Sequence, residues 1–156
     1  ISPTNTPATS WTVNAGTAEV NTNQAKILTL SGGTFFATVD AGQADVTVQA
    51  KIDPGGARGV VGRYGSTASN WMAYAAMGGA TMYIVEDNAT VRATASTLSI
   101  VAGDVIKLIM SGTSLTAWHS SGSCNYTSSA KQANTKHGLY GELAGKFYDD
   151  FKVTKP

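Results

Sequence analysis

Side chains alternate in character with a period of two along most of this chain, and that period dictates extended structure. In ADVTVQAKID, residues 44–53, Val46, Val48, Ala50 and Ile52 fall on one face, with Asp45, Thr47, Gln49 and Lys51 on the other. In DVIKLIMSG, Ile106, Leu108 and Met110 form the buried face, opposite Val105, Lys107, Ile109 and Ser111. SLTAWHS sets Leu115, Ala117 and His119 against Thr116 and Trp118. Further runs are TVNA, AKILTL, FFATVD, GVVGRY, NWMAYAAM, TMYIVE, TVRATA, HGLYGE and KFYDDFKV. Turn residues separate them: Ser31-Gly32-Gly33, Ala41-Gly42-Gln43, Pro54-Gly55-Gly56, Ala102-Gly103-Asp104 and Ser111-Gly112. Gly and Asn supply the positive φ of tight hairpins, and MGGAT and EDNAT read as two consecutive hairpin turns. Helical periodicity is almost absent. About a dozen short strands joined by tight turns predict an all-β, antiparallel, two-sheet β-sandwich of the jelly-roll kind.

Composition narrows the partners. The 156 residues suffice for one domain with a real core, and 42% are hydrophobic while only 13% are charged. A net charge of +1 without clustered Lys and Arg argues against nucleic acid. No apolar run approaches the roughly 20 residues that cross a bilayer, so membrane insertion is not expected. The lone cysteine, Cys124, excludes an intrachain disulfide. Residues 1–10, ISPTNTPATS, hold two of the four prolines and read as a linker or N-terminal arm. The β-sandwich domain is expected over 11–156.

The order of these signals resembles a known family. Trp11 precedes a strand ending in Asp40; then come ADVTVQAKI, GVVGRYG, NWMAYAAM, GDVIKLIMSGTSLTAW and the closing HGLYGELAGKFYDDFKV. This is similar to the concanavalin A-like lectin/glucanase jelly rolls related to laminin G domains, in the version that occurs as a module of phage tail and virion proteins and of secreted bacterial proteins. The resemblance implies the fold, an extracellular or virion-surface location, and attachment to a larger protein. Relatives often carry an Asp-Gly turn after the strand equivalent to SLTAW; here the text is WHSSGS.

Catalytic chemistry is not expected. Glucanases on this fold project two Glu and an Asp from alternating positions of one strand, and Glu19, Glu86 and Glu142 show no such pattern. Gly-rich phosphate loops, paired-His metal motifs and Gly-x-Ser-x-Gly elbows are missing. Glu86-Asp87 reads as a solvated turn, and His119 and His137 as isolated surface or strand-end residues. In FYDDF, adjacent side chains on a strand point to opposite faces, so Asp149 and Asp150 diverge. Phe147, Asp149, Phe151 and Val153 would share the core face, aiming Asp149 inward unless a bulge intervenes. The pair is expected to close the fold by hydrogen bonds and ion pairs, with a structural Ca2+ held by Asp149 or Asp150 as the alternative.

Sugar recognition needs a flat aromatic face for the C–H side of a pyranose, with amides, acids and Arg for the hydroxyls. The candidate patch is Arg63, Asn70, Trp71, Tyr74, Tyr83 and Trp118. The expected function is therefore a non-catalytic, lectin-like carbohydrate-binding module serving adhesion. The alternative is a structural virion module, a capsid or tail decoration, that meets other virion proteins.

Overall fold

The computed structural model describes residues 10–21, 24–53, 57–76 and 78–155; the predicted arm, except for Ser10, lies outside them. The alternating runs become strands β1 (Thr12–Ala15), β2 (Thr17–Asn21), β3 (Gln24–Thr29), β4 (Phe35–Asp40), β5 (Thr47–Ile52), β6 (Arg58–Ser66) and β7 (Ser69–Ala75). They continue as β8 (Thr81–Glu86), β9 (Thr90–Ser96), β10 (Val105–Ser111), β11 (Ser114–His119), β12 (Gly122–Thr127), β13 (Lys136–Gly141) and β14 (Phe147–Thr154). These strands make two seven-stranded antiparallel sheets, and no helix occurs among the described residues. The first sheet has the order β1-β4-β13-β6-β7-β8-β9, the second β12-β11-β10-β5-β14-β3-β2. This is the expected jelly-roll β-sandwich.

The core lies between the sheets and follows the alternation. The first sheet contributes Phe35, Ala37, Val39, Val60, Trp71, Ala73, Ile84 and Leu139, the second Ile27, Val48, Ala50, Ile52, Ile106, Leu108, Met110 and Leu115. Each large buried apolar side chain removed from water contributes about 1.5–3 kcal/mol. The two layers are also joined by a hydrogen bond. The Tyr148 hydroxyl, on β14 in the second sheet, donates to the Tyr140 carbonyl on β13 in the first. Gly141 is what admits that phenol, since a Cβ there would stand 2.7 Å from the Tyr148 oxygen. Burial keeps the phenol protonated, pushing its pKa well above the ordinary tyrosine value, so the donor persists at any physiological pH.

The predicted facing of the last strand is corrected by a bulge. The register of β14 against β5 shifts between Asp149 and Lys152, and Asp150 takes a φ of 47°. The extra residue resets the alternation. Tyr148, Phe151 and Val153 are buried, while Asp149 is partly exposed and Asp150 exposed. Asp149 Oδ1 accepts the Asp150 backbone amide at 2.8 Å, a local bond that holds the bulge. Its Oδ2 accepts from Gln24 at 3.3 Å, and Asp150 pairs with Lys51 at 2.6 Å. The adjacent acids are thus a bulge, each with its own partner. Among the described residues no group of three or more His, Cys, Asp or Glu could hold a metal ion, and the Asp149 and Asp150 carboxylates are engaged by Gln24 and Lys51.

An Asp150→Ala variant should lose about 1 kcal/mol of stability in urea denaturation, because Ala carries a Cβ into the left-handed region with no polar side chain to offset its cost. Asp150→Gly should match or exceed the parent. Equal destabilisation by both would place the effect in the lost Lys51 pair instead of the backbone.

Candidate functional site

The side of the first sheet facing away from the core is itself apolar. Phe36, Val61, Tyr64, Met72, Val85 and Tyr140 are buried there, each next in sequence to a core residue or one bulge removed from it, with Tyr74 and Tyr83 packed at their margin. Strand register aligns these residues in rows. Phe36 pairs with Tyr140, Tyr140 with Gly59, Gly59 with Tyr74 and Tyr74 with Tyr83. Tyr140 and Tyr74 stand two strands apart, about 9–10 Å at the usual strand spacing. Yet their ring centroids are 5.5 Å apart, because Gly59 between them carries no side chain. Tyr74 and Tyr83 are also 5.5 Å apart, and Phe36 and Tyr140 are 5.1 Å apart. Four rings therefore run in a tilted row across the sheet, closed at the solvent margin by the half-buried Tyr74 and Tyr83.

A carboxylate sits beside the row. The Tyr140 hydroxyl donates to Glu142 Oε1, and Glu142 is exposed. Burial, then the nearby charge of Glu142 and then Tyr83, push the Tyr74 phenol above its ordinary value. The Tyr140 and Tyr74 hydroxyls thus stay protonated as donors and acceptors near an ionisable acid, on a face that offers apolar rings.

The structure does not bring the six predicted residues to one surface. Trp71 lies on the inner face of β7, is 0% exposed, donates from Nε1 to the Ala130 carbonyl at 3.4 Å and is capped by Lys131, 4.9 Å from its ring. It is a core residue because the small-residue face of NWMAYAAM is the one turned to the second sheet. Asn70 is fully buried; its side chain donates to the carbonyls of Ser66 and Thr67, both at 3.0 Å, so it braces the β6–β7 turn. Trp118 belongs to the outer face of the second sheet, partly exposed beneath Lys107 at 4.5 Å. Only Tyr74 and Tyr83 meet.

Arg63 has a different task. It is 0% exposed, with a φ of 45° at an irregularity of β6. Its Nη2 donates to Asp45 Oδ1 at 2.8 Å and to the Gly112 carbonyl at 2.7 Å, and Nε to the Ala44 carbonyl at 3.4 Å. The Gly112 amide donates back to Asp45 Oδ2 at 2.8 Å. His137 completes this end. Its Nδ1 accepts the Arg63 amide at 3.2 Å and its Nε2 donates to the Gln43 carbonyl at 2.9 Å. His137 is therefore a buried structural residue, not the surface residue its position suggested.

Among solved structures, the chain is similar to the carbohydrate-binding module CBM66 of Bacillus subtilis, with a TM-score of 0.73. The likeness covers 94% of this chain and 96% of that one at 18% identity. It carries the fold, a jelly-roll sandwich from end to end. No family model matches this chain, and no curated protein matches it.

The remaining polar groups are bound into the framework. His119 is 2% exposed, contrary to its expected surface position; it shares the inward parity of Leu115 and Ala117. Its Nδ1 accepts the Ser121 amide at 3.1 Å and its Nε2 faces Asp104 Oδ2 at 3.0 Å, which pins the β11–β12 hairpin. Glu86 is not a solvated turn acid either, because it pairs with Arg92 at 2.6 Å and Lys131 at 2.8 Å. Glu142 was named in the sequence only as an acid outside any catalytic pattern. Its two-residue spacing from Tyr140, just past the end of β13, is the signal that joins them.

The environment of His137 sets a pH dependence. Burial, partly offset by the Gln43 hydrogen bond and reinforced by Arg63, lowers its pKa from 6.5 to about 4, while Asp40 acts weakly the other way. Protonation would also place a second N–H against the Arg63 amide. The unfolded chain takes up its proton near 6.5, the folded one near 4. Stability from this group is therefore full above 6.5 and is lost as pH falls toward 4, by up to about 3 kcal/mol. Urea denaturation between pH 7.5 and 4.5 should show this decline, and His137→Gln should flatten it. An unchanged slope in that variant would assign the decline to other groups.

Proposed function

We propose that this domain is a non-catalytic carbohydrate-binding module, carried by a larger secreted or virion protein, and that it engages sugar at the Tyr74–Tyr83 margin of the first sheet. The observation that carries the reading is the ring pair beside Glu142. Two half-buried aromatic faces suit the apolar side of a pyranose, and the adjacent carboxylate and phenols suit its hydroxyls. The rings are fixed by the buried row behind them, so little side-chain freedom is lost on binding. A fold shared with a carbohydrate-binding module supports the same conclusion. Affinity at one such shallow site is weak, and repeated copies on a parent protein would raise it through multivalency.

A structural virion module would instead use the apolar notch between the edges of the two sheets. That notch, of about 130 Å³, is lined by Trp11, Val13, Phe35 and Leu139 among others, and Val13 is 47% exposed.

The deciding experiment is a glycan array probed with the multivalently displayed domain. Binding to a defined neutral glycan is expected, with Tyr83→Ala weakening it by about tenfold or more while circular dichroism stays that of the parent. Binding untouched by Tyr83→Ala would move the site elsewhere on the domain. Failure to bind any glycan would favour protein contact through the notch.

A further inference from the structure

A second concavity lies at the Arg63 end of the sandwich. It is an open cleft of about 730 Å³ lined by Gln43, Ala44, Asp45, Gln132 and Lys155. β7 pairs Trp71 with Gly62 beside Arg63, and Tyr74 follows three residues later. The cleft and the Tyr74–Tyr83 pair therefore occupy different parts of the domain. We propose that this cleft is a second carbohydrate subsite that binds the hydroxyls of a neutral saccharide. The proposal takes its ligand class from the carbohydrate reading but uses none of the aromatic residues.

One wall is an acceptor surface held rigid from behind. The Asp45 side chain is 45% exposed while its partner Arg63 is 0% exposed. Each Asp45 oxygen takes one bond from the protein, Oδ1 from Arg63 and Oδ2 from the Gly112 amide, and each retains a further lone pair. These two donors, the Gly112 amide first, also hold the carboxyl below its usual range, so it stays an acceptor. Gln43 Nε2 donates to the Asp45 carbonyl at 2.7 Å, which leaves its Oε1 and its second N–H available. The carbonyls of Gln43 and Ala44 are tied to His137 and Arg63. Residues 43–45 thus present fixed oxygens to solvent with their ordering cost already met by folding. Arg63 Nη1, buried with no hydrogen-bond partner, remains as an unspent donor behind this wall.

The other lining residues are donors. Gln132 and Lys155, both exposed, line the cleft, one carrying an amide and the other an ammonium group. A sugar diol both donates and accepts, and this arrangement answers both roles. Other ligand classes fit poorly. The lining holds no aromatic ring for an apolar molecule. A polyanion meets Asp45, and Asp45 belongs to no cluster of three potential metal ligands among the described residues. Arg63 is thereby a positioning residue, acting through Asp45.

The test is a 15N–1H NMR titration with neutral oligosaccharides of glucose, galactose, mannose and fructose. It is run on the parent domain, Tyr83→Ala, Asp45→Asn and the double variant Gln132→Ala/Lys155→Ala, whose residues stand outside the Arg63 clamp. The expected result is saturable shifts at the amides of residues 43–45, 132 and 155, retained in Tyr83→Ala. Affinity there should fall by about tenfold in the double variant and in Asp45→Asn. Saturable shifts confined to Tyr74, Tyr83 and Glu142 would overturn the cleft and leave the aromatic site standing. Cleft shifts that the double variant leaves at parental affinity would also overturn it. Absence of shifts anywhere would overturn both sites.

Discussion

A guanidinium group sealed inside one end of the sandwich holds together segments that are far apart in sequence. Arg63 grips the β4–β5 connection through Ala44 and Asp45, and the β10–β11 turn through Gly112. Its own backbone is held by His137 on β13 and by Asn134, whose side chain donates to the Arg63 carbonyl at 3.1 Å. Burying a charge is costly unless it is paired and hydrogen-bonded, and here an ion pair and two carbonyls offset that cost. Removing one partner of such an arrangement typically costs about 3–5 kcal/mol. The loops at this end of the domain take their positions from that single side chain. Asp45 can present oxygens to solvent because Arg63 is behind it.

The two sheets are not equivalent. The second sheet is apolar inside and mixed outside, with Lys51, Gln49, Lys107, Thr116 and Trp118 partly exposed on its outer face. The first sheet is apolar on both faces, since Phe36, Val61, Met72 and Tyr140 back directly onto Phe35, Val60, Trp71 and Leu139. A sheet that is apolar on both sides reads in sequence as a continuous hydrophobic run, which FFATV and NWMA show. That second apolar face is what supports the ring row and delivers Tyr74 and Tyr83 to its margin. The fold thus supplies two different surfaces, one aromatic and one made of fixed oxygens and amides.

Much of the architecture was legible because alternation is a local property. The faces of β5, β10 and β11 alternate as the sequence predicts, although His119, expected at the surface, follows Leu115 and Ala117 inward. The Asp87-Asn88 turn adopts the expected positive φ at both positions, 58° and 57°. β12 escaped notice because its run, GSCNYT, buries only Cys124, and a polar edge strand carries little periodic signal. β2 escaped for want of a clear alternation in TAEVN. Site prediction was weaker for a physical reason. Whether Trp71 or Tyr74 faces the core depends on which side of β7 meets the second sheet, and a strand with two apolar faces does not encode that choice. Nor does local sequence show that Arg63 reaches Gly112 or that Tyr140 meets Glu142. Those contacts arise from pairing among residues distant in the chain.

The last two strands occupy the interior of both sheets. β13 stands between β4 and β6, and β14 between β5 and β3. During synthesis, β3 and β4 are made early yet lack those neighbours until β13 and β14 have left the ribosome. The layers cannot close around Tyr148 before that moment, so completion of the fold waits on these two strands. Contacts of such long sequence separation make folding slow and leave unpaired strand edges exposed in the meantime. The strands of the domain that are made last thus fill the centre of both sheets.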